Sequence, residues 1–281
     1  MTTAAFPRLI GTAKVKDVFG TGYTTPRIGI EVELERITGE WDDETEYWRM
    51  HEDGSLRNNG KEFVSVPLAR TQIAKALQEL DSVIADMGEG NASASYRCGI
   101  HIHYNVGHIQ VGHLVDYLLG LTMLEPVLFA VFAPERSQSV FCVPWNRSMR
   151  WAQHMTGLGT ERGRDWAAND YFHSLLANAS KYQSINILPV SRYGTIEFRM
   201  FPSTTDVDLI GAYVKVVQNC MEVVDDAGAK AIMDALQNND YDHIFNAVFD
   251  GVAVNWKAAI DVLCEEELAG ALMHAKNVIY S

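Results

Sequence analysis

The sequence predicts an α+β fold with a mainly antiparallel sheet, a helical insertion and a helical C-terminal region. Apolar and polar residues alternate in several stretches before residue 107 and again near residue 190. Such alternation is typical of strands with one buried face. Apolar residues at helical spacing fill part of the stretch between them and most of the chain after Val207. Strands that precede a cluster of helices favour α+β over an alternating βα arrangement.

Five segments are predicted as strands because their residues alternate or because they are short and strongly apolar. In chain order they are Arg27–Ile37, Lys61–Leu68, Cys98–Val106, Ser184–Val190 and Gly194–Phe201. The stretch His51–Gly60 contains Asp-Gly and Asn-Asn-Gly and is predicted as turns.

Helices are predicted at three places. Thr71 is a suitable N-cap for a helix that ends at Gly88 and has apolar residues at positions 73, 77, 80 and 84. A helical block from about Val111 to Ala133 forms the insertion, followed by an irregular, aromatic- and arginine-rich region, Phe141–Tyr171. From Val207 to the C-terminus the pattern is mostly helical.

Charge and composition limit the classes of function. The chain has 281 residues, with 23 Lys and Arg against 36 Asp and Glu, and a formal net charge of −13. A surface of that sign repels phosphate backbones and anionic lipid headgroups, so we expect no direct nucleic-acid or membrane partner. Metal ions can reverse the charge locally, so bound ATP is not excluded.

The sequence also predicts a soluble, cytoplasmic protein. The four cysteines stand far apart with no Cys-x-x-Cys pair, which excludes a zinc ribbon and argues against a disulfide scaffold. The N-terminal stretch lacks the basic start and apolar core of a secretory signal. The most apolar stretch, Leu114–Ala133, carries Asp116, Glu125 and Pro126, and we interpret it as buried helix.

Acidic residues and histidines are concentrated on the polar faces of four predicted strands. A solvated face usually mixes in lysine, which is absent here, because neighbouring like charges cost energy across strands. If these faces meet in a cleft, divalent cations such as Mg²⁺ or Mn²⁺ can offset the repulsion. An ordinary solvated face remains the alternative. The residues concerned are Glu31, Glu33, Glu35, Glu62, His101, His103, Glu197 and Arg199.

Spacing supports a metal site for some of these residues. The side chains of Glu31 and Glu33 project from the same face of one strand about 6.6 Å apart, a distance that suits ligands of two neighbouring ions. The two histidines of the His-x-His pair have the same spacing. Glu35, near the strand end, is expected to be a solvated charge. The Glu-x-Arg pair is either an ion pair within the strand or an acid that binds metal beside a guanidinium that binds phosphate.

Four segments resemble the amidoligase group of the glutamine synthetase-like superfamily, which is related to glutamate–cysteine ligases. They are GIEVELE (Gly29–Glu35), DGSL followed by GKEFVSVPL (Asp53–Leu68), CGIHIHYN (Cys98–Asn105), and INILP with GTIEFRMFPST (Ile185–Thr204). The resemblance implies a curved, mainly antiparallel sheet of the glutamine synthetase-like type. It also implies one catalytic domain over residues 1–281, with a motif-bearing core at about 27–204 and a helical part at about 205–281.

The activity that the resemblance implies is ATP-dependent formation of an amide or peptide bond through an acyl phosphate, with Mg²⁺ or Mn²⁺. The substrates are a small-molecule or peptide carboxylate and an amine, and the formation of a homo-oligomer is left open. Family members occur in bacterial and phage gene clusters. The residues after about 205 match no motif of the family.

Site roles follow from the same resemblance. Glu33 and Glu62 correspond to ligands of one ion, and Glu31, His101 and Glu197 to ligands of the ion that bridges the ATP phosphates. Arg199 would stabilise the transferring γ-phosphoryl group, and His103 would lie near the nucleotide. Asp53 and Ser55 would face the substrate or the metal.

A second phosphate-binding base is not identified. Lys181 stands where the family has an arginine, so the base is open among Arg147, Arg150, Lys181 and Arg192. An acyl phosphate must be shielded from water, and the candidate covering loops are Gly39–Glu46 and Gly157–Asp165.

Two other functions remain as alternatives. A mononuclear iron or zinc enzyme can be built on His101, His103 and one carboxylate, although it leaves the other acids and Arg199 without a role. A non-catalytic member of the fold is the other alternative. The sequence contains neither a Rossmann nor a Walker-type glycine motif, so ATP binding would depend on the metal site.

Overall fold

The computed structural model describes residues 13–38, 45–87, 92–148, 168–263 and 268–273. Six strands form one sheet: β1 (Ile28–Leu34), β2 (Trp48–Glu52), β3 (Lys61–Ser65), β4 (Gly99–Asn105), β5 (Ile185–Asn186) and β6 (Thr195–Pro202). Their order is β2-β3-β1-β4-β6-β5, and each neighbouring pair is antiparallel. The α+β class and the antiparallel sheet are confirmed. The glutamine synthetase-like type of the sheet and the single catalytic domain stay predictions.

One predicted strand is mostly wrong. In Ser184–Val190 only Ile185–Asn186 pairs with β6, and Pro189–Tyr193 forms a short helix. Pro189 suits the first turn of a helix, where its missing N–H leaves no hydrogen bond unmade. Gly194 ends the helix in the left-handed region, with φ of 69°.

One strand was missed at the edge of the sheet. β2 pairs with β3 and includes His51 and Glu52, which were predicted as part of a turn. Trp48 anchors this strand: its side chain is buried, and its indole Nε1 donates a hydrogen bond to the carbonyl oxygen of Ala76 at 2.6 Å. The turn prediction holds further along, where Asn58 and Asn59 have positive φ.

The helices are α1 (Val15–Phe19), α2 (Ile73–Asp86), α3 (Val111–Phe132), α4 (Ala168–Asn178), α5 (Pro189–Tyr193), α6 (Val207–Gln237), α7 (Asp242–Val248) and α8 (Trp256–Val262). The predicted helical regions correspond to α2, α3 and α6 to α8. The helices α1 and α4 were not predicted, and α4 begins inside the stretch Phe141–Tyr171 that was expected to be irregular. The predicted N-cap Thr71 lies instead within a 3₁₀ turn, Arg70–Gln72, that precedes α2. The Asp206 side chain caps α6 by accepting hydrogen bonds from two backbone N–H groups of the first turn.

The core lies on one face of the sheet. Helices α2 and α3 both pack against α6, while α3 and α6 also contact the central strands β6 and β4. The apolar residues of each strand point towards them; Ile30, Val32, Ile102 and Phe198 are fully buried. The opposite face carries the polar residues of the same strands.

Helix α3 is the apolar stretch that the sequence singled out. By length and composition it is able to cross a membrane, but 83% of its most apolar window is buried inside the protein. Pro126 and Glu125 both lie within the helix and are buried. This burial is typical of the core helix of a soluble protein and agrees with the predicted buried helix.

The Glu125 carboxyl is enclosed beneath the sheet. Its side chain is 1% exposed, and it accepts hydrogen bonds from the Trp145 backbone N–H at 2.8 Å and from the Ser184 hydroxyl. Burial raises the pKa of Glu125 to about 8, because the two hydrogen bonds offset only part of the lost hydration. The group is therefore an uncharged acid near neutral pH.

We expect Glu125→Gln to remove a pH dependence of stability. Folded Glu125 titrates at about 8 and an unstructured glutamate at 4.5, so the unfolded chain loses this proton first as pH rises. Between these two pH values, the free energy of unfolding of the wild type should therefore fall relative to that of the variant by about 1.4 kcal/mol per pH unit. Outside this range the difference between the two proteins should be constant. Denaturant titrations of both proteins from pH 4 to pH 9 measure this. If the unfolding free energies of the two proteins changed in parallel across this pH range, the prediction would be wrong.

Candidate functional site

The polar face of the sheet brings together the predicted acids and histidines. Register places Glu31 directly opposite His101, Glu33 opposite Glu62, and His103 opposite Glu197. Side chains of directly opposed residues project from the same face, so four neighbouring strands contribute to one cluster. The glutamate cluster, as we call it, consists of Glu31, Glu33, Glu62, His101, His103, Glu197 and Arg199.

Ligand atoms in this cluster are close enough to share cations. In the part of the chain that the structure describes, three overlapping sets have one ligand atom per residue, all within 4.8 Å of one another. The sets are Glu31 with Glu62 and His101, Glu31 with His103 and Glu197, and Glu33 with Asp53 and Glu62. Each set is dominated by carboxylate oxygens, the donors that Mg²⁺ and Mn²⁺ prefer.

Strands β1 and β4 hold the centre of the cluster. The His101 Nδ1 atom lies 3.0 Å from Glu31 Oε2, and its Nε2 lies 3.9 Å from Glu33 Oε2. The His103 Nε2 atom is buried and lies 3.1 Å from Glu31 Oε1. The Glu31 carboxylate is therefore shared by two imidazoles.

Gly99 makes room for this arrangement. Its backbone N–H donates a hydrogen bond of 2.6 Å to Glu33 Oε2 and so orients that carboxylate. A Cβ atom at position 99 would lie 3.0 Å from both His101 Nε2 and Arg136 Nη2. A side chain here would displace a buried imidazole or a buried guanidinium.

Strand β6 supplies the acid–arginine pair. The Glu197 carboxylate accepts a hydrogen bond from Asn186 Nδ2 at 2.7 Å, pairs closely with Arg199, and lies 3.6 Å from His101 Nδ1. A register shift in the β4–β6 ladder occurs at His101, between Ile100 and Ile102. The Nε atom of Arg199 is buried without a hydrogen-bond partner.

The pKa shifts within the cluster follow from burial and from the close approach of acids and imidazoles. Burial opposes ionisation of Glu31, but hydrogen bonds from His101 and His103 outweigh it and hold the pKa of Glu31 well below its usual range. Burial also opposes charging of both imidazoles, yet the surrounding carboxylates raise their pKa values. Burial and the charge of Glu31 raise the pKa of Glu62 to about 7.

The Asp53–Ser55 turn borders the cluster from the side of β3. Asp53 has a carboxylate oxygen within 4.8 Å of ligand atoms of Glu33 and Glu62. Its Oδ1 accepts a hydrogen bond from the Ser55 N–H at 2.7 Å. Ser55 is exposed, and its carbonyl oxygen accepts a hydrogen bond from Arg97. The structure thus brings Asp53 to the cluster, while the contacts of Ser55 are with the turn and Arg97.

The candidates for a second phosphate-binding base are dispersed. The Lys181 ammonium lies 5.0 Å from the ring centroid of Tyr182, and Arg147 donates to the Ser137 carbonyl oxygen. Arg192 lines a cavity beside the cluster. Arg150, the loop Gly157–Asp165 and most of Gly39–Glu46 lie outside the described residues.

The expectation for Glu35 was wrong. Its side chain is 4% exposed and is not a solvated charge. Its carboxylate accepts hydrogen bonds from the Arg57 N–H at 3.0 Å and from Asn58 Nδ2 at 3.4 Å. The Asn-Asn-Gly turn folds back over the end of β1, which local alternation does not reveal.

Several residues of the site escaped the sequence analysis. Asn186 holds Glu197 from the two-residue strand β5, Thr195 Oγ1 lies 2.9 Å from His103 Nδ1, and His51 stands opposite Glu62 on β2. Their signals were weak, because β5 is very short and β2 was predicted as turn. Recognising the alternation in Trp48–Glu52 would have placed His51 on the polar face.

A cavity of about 520 Å³ opens at the end of the cluster where β1 begins. Glu31 and His103 line its inner side, and Tyr23 and Tyr193 carry exposed rings at its rim. The Arg27 guanidinium lies 5.8 Å from the Tyr23 ring centroid. The Arg192 guanidinium lies 5.1 Å from the Tyr193 ring centroid. The cavity thus joins aromatic faces and cations to the carboxylate and imidazole of the cluster.

Comparison with known proteins identifies one family. The model of a family described as "putative amidoligase enzyme" matches residues 42–221, more than half of the chain. The matched range contains Glu62, His101, Glu197 and Arg199, whereas Glu31 and Glu33 on β1 precede it. A search of curated proteins finds no match.

Proposed function

The chain belongs to the amidoligase family, whose members are enzymes of the ligase kind, and on this basis we propose that it is an ATP-dependent carboxylate–amine ligase. The observation that carries the proposal is the glutamate cluster, in which four glutamates and two histidines from neighbouring strands converge next to Arg199. Phosphoryl transfer needs positioned cations and little covalent chemistry from the protein, and such a cluster meets that need.

The residues fit a pair of divalent cations. We assign Glu33 and Glu62 to one ion, with Asp53 beside them, and Glu31, His101 and Glu197 to the other. The clustering of carboxylates and the raised pKa of Glu62 both support a site built for cations. When bound, Mg²⁺ neutralises both the carboxylates and the phosphate oxygens of ATP.

We place the nucleotide base in the cavity between Tyr23 and Tyr193. Two aromatic faces with adjacent guanidinium groups suit a flat, polarisable ring, and the volume of about 520 Å³ is in the range of small-ligand sites. Glu31 and His103 line the inner side of this cavity, so the phosphates would extend from the base towards the cluster.

Arg199 is assigned to the γ-phosphoryl group. Its Nη1 pairs with Glu197, which fixes the side chain, while its Nε remains buried and without a partner. A guanidinium presents several donors in a plane and can grip a phosphoryl group through two oxygens. Arg199 would therefore stabilise charge on the equatorial oxygens during transfer.

The reaction has two steps. A carboxylate oxygen of the acid substrate attacks the γ-phosphorus and ADP leaves, which yields an acyl phosphate. The amine then attacks the acyl carbon, inorganic phosphate leaves, and the amine loses a proton as the amide forms. In this scheme the protein positions and neutralises charge and is not itself phosphorylated.

Among the described residues, the ligand geometry offers no support for the mononuclear iron or zinc alternative. That site requires His101, His103 and a carboxylate around one ion. Each of the three ligand sets contains at most one histidine. His101 and His103 flank Glu31 from two sides and do not converge on one point with it.

Thermal unfolding in the presence of metal and nucleotide tests the proposed function. We expect Mg²⁺ with ATP to raise the midpoint, because a ligand at 100 times its Kd stabilises the native state by about 2.7 kcal/mol. ATP without Mg²⁺ should have little effect. A rise with Zn²⁺ or Fe²⁺ and none with Mg²⁺ and ATP would refute the ligase proposal and favour the His-x-His metalloenzyme.

A further inference from the structure

The buried amide of Asn105 joins the end of β4 to residues 21–25, which form part of the wall of the 520 Å³ cavity. The Asn105 side chain is 0% exposed. Its Oδ1 accepts a hydrogen bond from the Tyr23 N–H at 2.8 Å, and its Nδ2 donates to the carbonyl oxygens of Tyr23 and Thr25, both at 2.9 Å. One side chain therefore holds both the N–H and the carbonyl group of Tyr23.

This amide has no hydrogen-bonding position left for a ligand. A primary amide offers two acceptor and two donor positions. Besides the three bonds to residues 23 and 25, the Oδ1 atom of Asn105 accepts a hydrogen bond from the Gly107 N–H at 3.3 Å. All of these positions are used within the protein, so Asn105 holds the chain and does not itself bind a ligand.

Glycines allow residues 21–25 to lie directly against two neighbouring elements. Gly22 has a φ of 88°, and a Cβ atom there would lie 2.8 Å from Asn105 Oδ1 and 3.2 Å from Gly194 Cα. A Cβ atom on Gly194, which ends α5, would lie 2.5 Å from Gly22 Cα. The Thr21 hydroxyl donates to the Val190 carbonyl oxygen of α5 at 3.1 Å. The segment is thus fixed to β4 on one side and to α5 on the other.

This packing holds two exposed aromatic rings at the cavity. Tyr23 is 46% exposed, and Tyr193, which precedes Gly194, is 52% exposed. The Tyr23 ring lies beside the guanidinium of Arg27, which in turn donates a hydrogen bond of 3.3 Å to Gln72 Oε1. Because the backbone of Tyr23 is already fixed, little conformational entropy is lost when a flat ligand stacks on its ring.

We propose that Asn105 is a positioning residue for nucleotide binding, which holds the backbone of Tyr23 so that the Tyr23 ring stacks on the base. This inference rests on the proposed function, in which the base occupies the cavity and the phosphates lie at the glutamate cluster. Asn105 then sets the affinity for the base and leaves the affinity for the phosphates unchanged. The base is bound through its ring face, since the amide that lines the cavity is fully used.

Calorimetric titration of the full chain tests the inference by comparing a non-hydrolysable ATP analogue with inorganic tripolyphosphate, both with Mg²⁺. Tripolyphosphate has the phosphates but no base, so the ratio of the two dissociation constants measures the preference for the nucleotide. Wild type should prefer the nucleotide by about tenfold or more, as expected for one stacked base. Asn105→Ala should remove most of this preference and leave the affinity for tripolyphosphate unchanged.

Variants of Tyr23 test the stacking contact directly. Tyr23→Ala removes an exposed ring, so the chain should fold, and the preference for the nucleotide should be lost as in Asn105→Ala. Tyr23→Phe keeps the ring and should behave as wild type.

Asn219 on α6 provides the matched control. It is 4% exposed, and its Nδ2 donates to the carbonyl oxygens of Val248 and Asp250, both at 3.0 Å. Asn219→Ala therefore removes a comparable buried amide and should leave the preference for the nucleotide unchanged. If Asn105→Ala does not fold, Thr21→Val decides the outcome, because it removes only the hydrogen bond to Val190. This variant should reduce the preference by about twofold to fivefold.

Four results would overturn the inference: equal affinity of wild type for both ligands, a preference unchanged by Asn105→Ala or its substitute Thr21→Val, an equal change in Asn219→Ala, or nucleotide binding unchanged by Tyr23→Ala. Weakening of both ligands to the same extent by Asn105→Ala leaves the preference unchanged and would show a purely structural role. In each case wild type still binds Mg²⁺ with tripolyphosphate, so the ligase proposal stands. If wild type binds neither ligand, the ligase proposal itself is refuted.

Discussion

Glu197→Gln is expected to abolish Mg²⁺-dependent ATP turnover while the chain stays folded. The substitution removes one negative charge from a cluster in which the carboxylates repel one another, and it removes a proposed metal ligand. Arg199 keeps Glu31 and Glu33 as acidic neighbours, so it is not left as an isolated buried cation. We expect turnover to fall by a factor of about 100 or more, as for the loss of other preorganised electrostatic groups.

Trapping with hydroxylamine measures this effect before the amine substrate is known. An acyl phosphate reacts with hydroxylamine to give a hydroxamate, and ADP forms in proportion. Wild-type enzyme, given Mg²⁺, ATP and a panel of small carboxylic acids, should form hydroxamate with at least one of them, and Glu197→Gln should form none. Glu222→Gln, an exposed glutamate on α6, is the matched control and should behave as wild type. Full activity in Glu197→Gln would remove Glu197 from the metal site.

Arg199→Lys is expected to lose most of the activity although the positive charge is retained. The lysine ammonium is a single point of charge and cannot hold two phosphoryl oxygens in one plane. Because this contact strengthens as charge develops in the transition state, kcat should fall by a factor of about 100 or more. Stabilisation of the folded chain by Mg-ATP should change far less, since the metal ligands are intact.

Comparison of the loss of turnover with the change in stabilisation by Mg-ATP identifies the role of Arg199. A variant that binds Mg-ATP almost normally but turns over slowly fits a residue that acts on the transferring group. Arg70→Lys, at an exposed ion pair distant from the cluster, is the matched control and should leave both unchanged. Full turnover in Arg199→Lys would make Arg199 a structural partner of Glu197.

Local alternation correctly predicted which side chains share a face of the sheet. Glu31 with Glu33, and His101 with His103, were placed on common faces because successive side chains of a strand point to opposite sides. The same reasoning placed Glu197 and Arg199 together. These predictions concern residues two positions apart, whose relative orientation depends only on the backbone of one strand.

Predictions failed where contacts distant along the chain decide the outcome. Glu35 was expected in solvent, yet the turn at Arg57 and Asn58 covers it and supplies its hydrogen bonds. β2 was missed because an edge strand of mixed composition has little signal until it pairs with β3. One failure had a local cause instead: in Ser184–Val190, Pro189 and Gly194 favoured a short helix over the apolar character of the segment.

The sequence by itself determined the family resemblance, the fold class and which residues share each strand face. The resemblance depends on four segments that occur in the order of the family, whereas the fold class and the shared faces follow from local periodicity. Tertiary structure alone decided that β3, β1, β4 and β6 lie side by side, so that four glutamates, two histidines and Arg199 converge. It also placed the cavity of about 520 Å³ beside the cluster, where β1 begins. Strand order and loop folding depend on packing between distant segments, and no local pattern encodes them.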